Sequence, residues 1–370
     1  MAEKTAVRFI NKNKTEFFYT LRKRVDEYFK VNGISKHANA QMYIKTVVLL
    51  LSYIIPFVLI LTVSFPLWAE LLLWSFMGVA LAGIGMSIMH DACHGAYSEN
   101  KHVNNLLGYT LNLLGGAVFN WKLQHNVLHH TYTNITDMDE DIDSKLMMRF
   151  SPHAKRKWYH KGQVVYAFLF YSILTLYWVV LKDFTQFARY TREGVNKNKR
   201  KENIETLFRI IVSKVFYVLT FFILPVYICN VPFTHWLGGW LLMHGIGGMI
   251  LSVTFQLAHT VENTSYPMPD KDGNIENEWA IHQMNTTVNF ARHNKLISWY
   301  IGGLNFQVEH HLFTGICHIH YPALAPIVKQ TAEEFGVPYL ENKTLGKALK
   351  SHITTLKKFG MSEALEVLAA

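Results

Sequence analysis

Two long stretches of this chain, residues 46–100 and 215–270, contain no lysine or arginine. No other feature restricts the fold as much. A soluble domain spreads its cations over every surface element, whereas a bilayer excludes them from its hydrocarbon core. Residues 46–64 and 71–89 are apolar runs of spanning length, joined by the short link FPLWAE. Lys45 precedes the pair and Lys101 follows it. A hairpin of two spans with both basic ends in the cytoplasm satisfies the positive-inside rule. The composition agrees, with 50% hydrophobic and only 17% charged residues.

Three further apolar runs follow, at 164–181, 207–228 and 236–258. All three cannot cross if both ends of this block lie in the cytoplasm. Lys155, Arg156, Lys157 and Lys161 precede the first run, and Lys182, Arg189, Arg192, Lys197 and Lys199 follow it. Cations on both flanks predict that 164–181 is an interfacial or re-entrant helix that does not cross. The other two runs form a second hairpin around the turn NVPFTH. The predicted fold is an all-α integral membrane protein. It has four transmembrane helices in two hairpins, interfacial helices and a cytoplasmic helical cap.

Residues 1–45 are then a cytoplasmic arm, 46–340 the membrane domain and 341–370 a helical tail. In the arm, Phe17, Phe18, Leu21, Val25 and Phe29 alternate with cations, the pattern of an amphipathic helix on a membrane surface. The tail carries helical periodicity at Leu324, Ile327 and Val328, and again at Leu349, Ile353 and Leu356. The first forty residues hold no apolar segment of signal-peptide type, so insertion is expected to rely on the internal spans. The net charge of +9 is assigned to the aqueous parts, where it suits a bilayer surface or an acidic partner; no nucleic-acid partner is expected. Three cysteines, none in a Cys-x-x-Cys pair, exclude a disulfide framework and an iron–sulfur site within the chain.

Nineteen histidines demand a chemical reason. HDACH sets His90 and His94 one helical turn apart, on one face, where the second span ends. HNVLHH contributes His125, His129 and His130, QLAHT places His259 at the end of the last span, and QVEHH supplies His310 and His311. The charge-derived topology puts all of these on one side of the membrane. So many neutral imidazoles exceed the needs of one zinc ion and suit two first-row metals, whether iron, copper, zinc or nickel. Any one pair is more simply a structural or chance feature; the set at one side of the membrane is not. His318 and His320 follow the last box and are read as non-ligands. Nearby acids and amides are candidates to orient metal-bound imidazoles: Asp91, Asn126, Gln307, Glu309, and the group Asp137, Asp139, Glu140, Asp141 and Asp143. Phe119, Trp121, Phe255 and Phe306 are candidate walls of a narrow apolar tunnel.

HDACH, HNVLHH and QVEHH resemble the histidine boxes of membrane fatty acid desaturases. The flanking text WKLQHNVLHHTYTN, TTVNFARHN and GGLNFQVEHHLFTGICHIHYPALAPIVK is similar too, over roughly residues 40–340. Glutamine at 307 resembles the front-end branch, which adds a double bond between an existing one and the carboxyl end. The resemblance implies that His90, His94, His125, His129, His130, His259, His310 and His311 bind two non-haem irons. It further implies dioxygen as co-substrate and an acyl-CoA or acyl-lipid substrate. The His-Pro-Gly-Gly haem motif that many front-end enzymes carry is not in this sequence. A separate electron donor is therefore expected (ferredoxin, cytochrome b5 or similar), together with a bacterial inner membrane. A hydroxylase of the same superfamily shares the first hydrogen abstraction and is the alternative. A metal transporter would place ionisable groups within the spans, which here hold almost none apart from His244.

Overall fold

The computed structural model describes residues 7–12, 14–142 and 147–362. Asp143, the first six residues of the arm and the last eight of the tail lie outside the described residues. Helices dominate. Five of them are long and apolar enough to cross a membrane: α2 (Ala40–Thr62), α3 (Leu67–Cys93), α4 (Trp158–Arg192), α5 (Arg200–Ile228) and α6 (Phe233–His259). They correspond to the five apolar runs of the sequence, the first run passing the end of α2 by two residues. Before them lies α1 (Phe17–Asn32), and the last long helix is α7 (Leu345–Met361).

The chain divides into two compact units. The first comprises residues up to 36, 126–167 and from 254 onward. Its core is built around α1, whose Phe17, Leu21, Val25 and Phe29 recur every fourth residue and are buried together with Leu324, Val328 and Met284. This corrects the expectation for the arm. The apolar face of α1 is spent on protein, not on lipid, because the helix Tyr321–Glu334 offers a matching stripe. Arg24 closes the edge by reaching Glu334 at 2.6 Å. The tail periodicity is met at Leu324, Val328 and Leu356, which are buried, but Ile353 of α7 is exposed. Four very short strands complete the unit in two parallel pairs: β1 (Arg8–Ile10) with β2 (Asn274–Glu276), and β3 (Asn289–Phe290) with β4 (Glu341–Asn342). Fully buried Arg149 anchors the end of α7 through the carbonyls of Phe359 and Ser362.

The second unit, 37–125 with 168–253, is the apolar one. Val47, Ile55 and Val58 of α2, Leu72 and Phe76 of α3, and Ile211 and Val215 of α5 stand exposed, which is tolerable only against lipid. Inward faces are lined by small residues. A Cβ on Gly78 would lie 2.6 Å from the Met243 carbonyl, and one on Gly248 would lie 2.8 Å from the carbonyl of Ser172. Such close backbone approach is how helices associate where burying apolar surface brings no gain over lipid. The Thr175 hydroxyl donates to the His244 carbonyl at 2.9 Å, so α4 lies against the middle of α6. Lys214 of α5 spends its three N–H donors on Asp183 at 2.5 Å and on the carbonyls of Gly115 and Trp178 at 2.6 and 2.7 Å.

Candidate metal centre

Each unit carries a constellation of imidazoles. In the second unit α3 changes to π geometry over Gly85–Met89 and returns to α geometry at His90–Cys93. Such bulges frequently accompany functional sites. His90 and His94 project from this end, and His125 from the π-helix Leu123–His129. Ring centroids are 4.7 Å apart for His90–His94 and 5.1 Å for either ring with His125. The Nε2 atoms of His90 and His125 lie 3.1 Å apart. Two ligands about 2.1 Å from one metal ion and roughly at right angles are separated by about 3 Å. Trp121 packs against all three rings, closest to His125 at 4.5 Å.

In the first unit His129, His259 and His311 form one trio, with ring centroids 4.7 to 4.9 Å apart. His130 and His310 join His311 in a second, at 4.5 and 4.6 Å from His130. In each trio the candidate ligand atoms lie within 4.8 Å of one another. Here the Nδ1 atoms are held from behind. His129 faces both oxygens of Asp139 at 3.1 Å and Asp141 at 3.3 Å. His311 donates to the Gln283 carbonyl oxygen at 2.8 Å, and His310 meets the Tyr321 hydroxyl at 3.2 Å. His259 points Nδ1 at the Thr286 carbonyl at 3.4 Å. Fixing Nδ1 selects the tautomer whose Nε2 lone pair faces inward, the arrangement of metal-bound histidine. The buried Nε2 of His259 has no hydrogen-bond partner among the described residues. An all-imidazole donor set, with acceptors behind His129, His259 and His311, fits divalent iron.

The same acids set the charge of His129. Burial alone disfavours a charged His129, but Asp139 and Asp141 overcome it and raise its pKa to about 9. Asp139, although buried, is held below the usual carboxylate range by His129 and by the backbone N–H groups of Asn134 and Asp141. Among the described residues of the acidic loop, Asp139 and Asp141 face the His129 ring, and Asp139 also accepts the Asp141 N–H in an Asx-type turn.

The other expected positions divide. Gln307 is fully buried, and its amide nitrogen has no partner among the described residues. Asp91 is buried with an oxygen 3.9 Å from His90 Nδ1, and Asn126 is half-buried on the π-helix. Glu309 takes a different role from the ring-orienting one expected. Its buried carboxylate accepts from Tyr339 at 2.6 Å and Asn289 at 2.9 Å, and burial raises its pKa. His318 and His320 sit on a short helix, with His320 edge-on to Phe29. Sequence reasoning missed Gln283, Tyr321 and Thr286, which brace the rings, and buried His282, whose pKa burial lowers to about 4.

The sequence model for fatty acid desaturases matches residues 27–343. An sn-1 linoleoyl-lipid 6-desaturase of Arthrospira platensis is 36% identical over 343 residues, covering 92% of each chain. A protein of the same description from Synechocystis sp. is 36% identical, over 96% of this chain and 99% of its own. An acyl-lipid (8-3)-desaturase of Physcomitrium patens is 33% identical over 98% of this chain and 75% of its own. A family match across most of the chain, relatives of nearly its full length, and histidine trios in both units lead to one conclusion: this chain belongs to the fatty acid desaturase family.

Proposed function

We propose that this oxidoreductase is a front-end acyl-lipid desaturase with two irons. One iron is held by His90, His94 and His125, and the other by the group His129, His130, His259, His310 and His311. The support is the bracing of Nδ1 on His129, His310 and His311, which aims Nε2 of each ring inward. When bound, the irons supply the oxygen chemistry that removes two hydrogens from adjacent methylenes. The chain's own work is different. Asp139, Gln283 and Tyr321 fix the rings, Gln307 stands buried beside His310 and His311, and the aromatics around Trp121 keep water from the reacting carbons. The names of the relatives favour a linoleoyl-type lipid substrate.

The same trio argues for four crossings. His129 follows α3 and His259 ends α6, and their rings are 4.7 Å apart. The chain between them must therefore cross the membrane an even number of times, yet it contains three long helices. We assign the non-crossing role to α4, flanked by cations on both sides. Its contacts with the middle of α6 support reading it as an interfacial or re-entrant helix that does not cross. The membrane domain 46–340, with arm 1–45 and tail 341–370, then carries its site on the cytoplasmic side of a bacterial inner membrane. A separate ferredoxin-like or cytochrome b5-like donor supplies the electrons.

The test is fatty acid profiling of host cells expressing the chain or His310→Ala, fed saturated, mono- and di-unsaturated acids. A new cis bond on the carboxyl side of an existing one, lost in the variant, is expected. A product sixteen mass units heavier would indicate hydroxylation instead. No product with a competent donor and bound iron would refute the reading.

A further inference from the structure

The outer face of α7, in the first unit, carries one sign of charge. Lys343, Lys347, Lys350 and Lys357 follow one another at intervals of four, three and seven residues, so they line one side of the helix, and all four are exposed. No Asp or Glu occurs between residues 343 and 362. The carboxylate just before them, Glu341, is paired with Arg292 at 2.7 Å. The stripe continues onto a second segment of the same unit. Gly360 packs against the His160 carbonyl, and Arg156 donates to the Met361 carbonyl at 3.2 Å. Beside these contacts Lys155, Lys157 and Lys161 are exposed, again with no acid among residues 147–163. The helix itself is not helped by this pattern. Lysines one turn apart repel. Lys347 lies in the first turn, where the helix dipole disfavours cations, and no acidic residue is there to offset it. A face that meets only water mixes its signs and avoids both effects.

The inner face of α7 shows what lies beneath the charge. His352 donates from Nδ1 to the Thr260 carbonyl at 2.7 Å, and Thr260 directly follows His259. Tyr266, edge-on to Phe359 of α7 at 5.3 Å, donates to the His259 carbonyl at 3.1 Å. The lysines are thus separated from the backbone of a candidate metal ligand by roughly one helix diameter, 10–12 Å. Resting on the desaturase reading, we infer that this face is where the separate electron donor docks, and that the donor is a small acidic one-electron carrier protein. Forming one double bond with one dioxygen leaves two electrons to be supplied. The carrier is oxidised twice, and dioxygen, the two substrate hydrogens and two protons leave as two waters. A single-sign face draws in and orients an acidic carrier. An anionic bilayer would feel the same charge, but Leu356 and Phe359 of α7 face protein and not lipid, and a bilayer gains nothing from lying over His259.

The test uses the full chain in nonionic detergent. The probes are a plant-type [2Fe–2S] ferredoxin and the soluble domain of a cytochrome b5. The parent should bind one of them at low salt and lose most of that affinity between about 0.02 and about 0.5 M salt, as the Debye length contracts. Combining Lys347→Glu, Lys350→Glu and Lys357→Glu should weaken binding about tenfold or more and flatten the salt dependence. Reduction of the iron-loaded variant by dithionite at high salt, which needs no docking face, should match the parent. Lys23→Glu, Lys30→Glu and Lys295→Glu together, at exposed positions of the same unit, should change carrier binding little. An equal loss in that control would reduce the effect to net charge and overturn the inference. So would a parent that binds neither probe, or a charge-reversed α7 that binds as the parent does. If the α7 variant does not fold, Lys350→Gln with Lys357→Gln serves and should still weaken binding at low salt. Co-purified anionic lipid that falls in the α7 variant while carrier affinity holds would give the face to the bilayer and overturn the inference too. Salt-dependent carrier binding through α7 in a chain that makes no double bond would sink the desaturase reading and leave the docking face standing.

Discussion

The two histidine constellations are built by different means. In the first unit, rings from separate parts of the chain are set by hydrogen bonds from behind: Asp139 on His129, Gln283 on His311 and Tyr321 on His310. Gln283 also donates to the His130 carbonyl at 3.1 Å and accepts from Thr133 at 2.9 Å, so one amide joins two boxes. In the second unit, the rings follow from helix geometry and a large aromatic. His90 and His94 share a helical face beside a π segment, and Trp121 packs on both and on His125. A site held by polar braces depends on single atoms. A site held by packing depends on volume.

That contrast can be broken at several points. The largest effect is expected from a ligand of the polar-braced set. His311→Ala should abolish double-bond formation and reduce bound iron, read by product analysis and metal content of the purified protein. Activity at parental level would end the assignment of this trio. Next in size is the brace. Asp139→Asn keeps the shape but removes the charge behind His129, and a 10- to 100-fold loss of metal affinity or turnover is expected for such a partner. A titration with ferrous iron decides it. Trp121→Ala tests the packed set, where a loss of about 3–5 kcal/mol in stability is expected from the cavity, read as a lower melting temperature. If it changed iron affinity with no change in stability, volume would not be what holds those rings. The smallest effect concerns acid. Burial lowers the pKa of His352 to about 4, with its Nδ1 2.7 Å from the Thr260 carbonyl. Its neutral form is the native one, so the unfolded chain binds the extra proton. The associated stability is complete above pH 6.5 and is lost as pH falls toward 4, by about 3 kcal/mol at most. His352→Gln should flatten the melting temperature of the first unit over that window.

Much of this was legible in the sequence, unevenly and for physical reasons. Hydrophobic runs of spanning length report themselves: four of the five lie within a long helix, and 46–64 overruns α2 by two residues. Histidine spacing on a helix is equally direct, as at His90 and His94. What could not be read is what depends on long-range meeting. Gln283 lies 28 residues from His311, and no local pattern marks it as a brace. Glu309 is adjacent to His310 in sequence, yet its side chain leaves for Tyr339 and Asn289, since neighbouring residues on a helix face different ways. The arm shows the same limit. The spacing of Phe17, Leu21, Val25 and Phe29 announces a buried face but not whether lipid or protein covers it. Strands of two or three residues, such as β3 and β4, are too short to carry any alternation.

Lys214 carries a consequence for how the protein is made. A lysine near the centre of a membrane helix is unfavourable by roughly 2.5–3.5 kcal/mol during insertion. Its three acceptors, Gly115, Trp178 and Asp183, all precede it in the chain. They therefore emerge from the ribosome before Lys214 does, so a growing chain can offer the lysine its partners as it enters the bilayer. Order of synthesis thus becomes part of what makes this helix insertable. A nascent chain carrying Asp183→Ala should hesitate at this step, visible as a larger fraction of non-inserted α5 in a glycosylation-reporter assay.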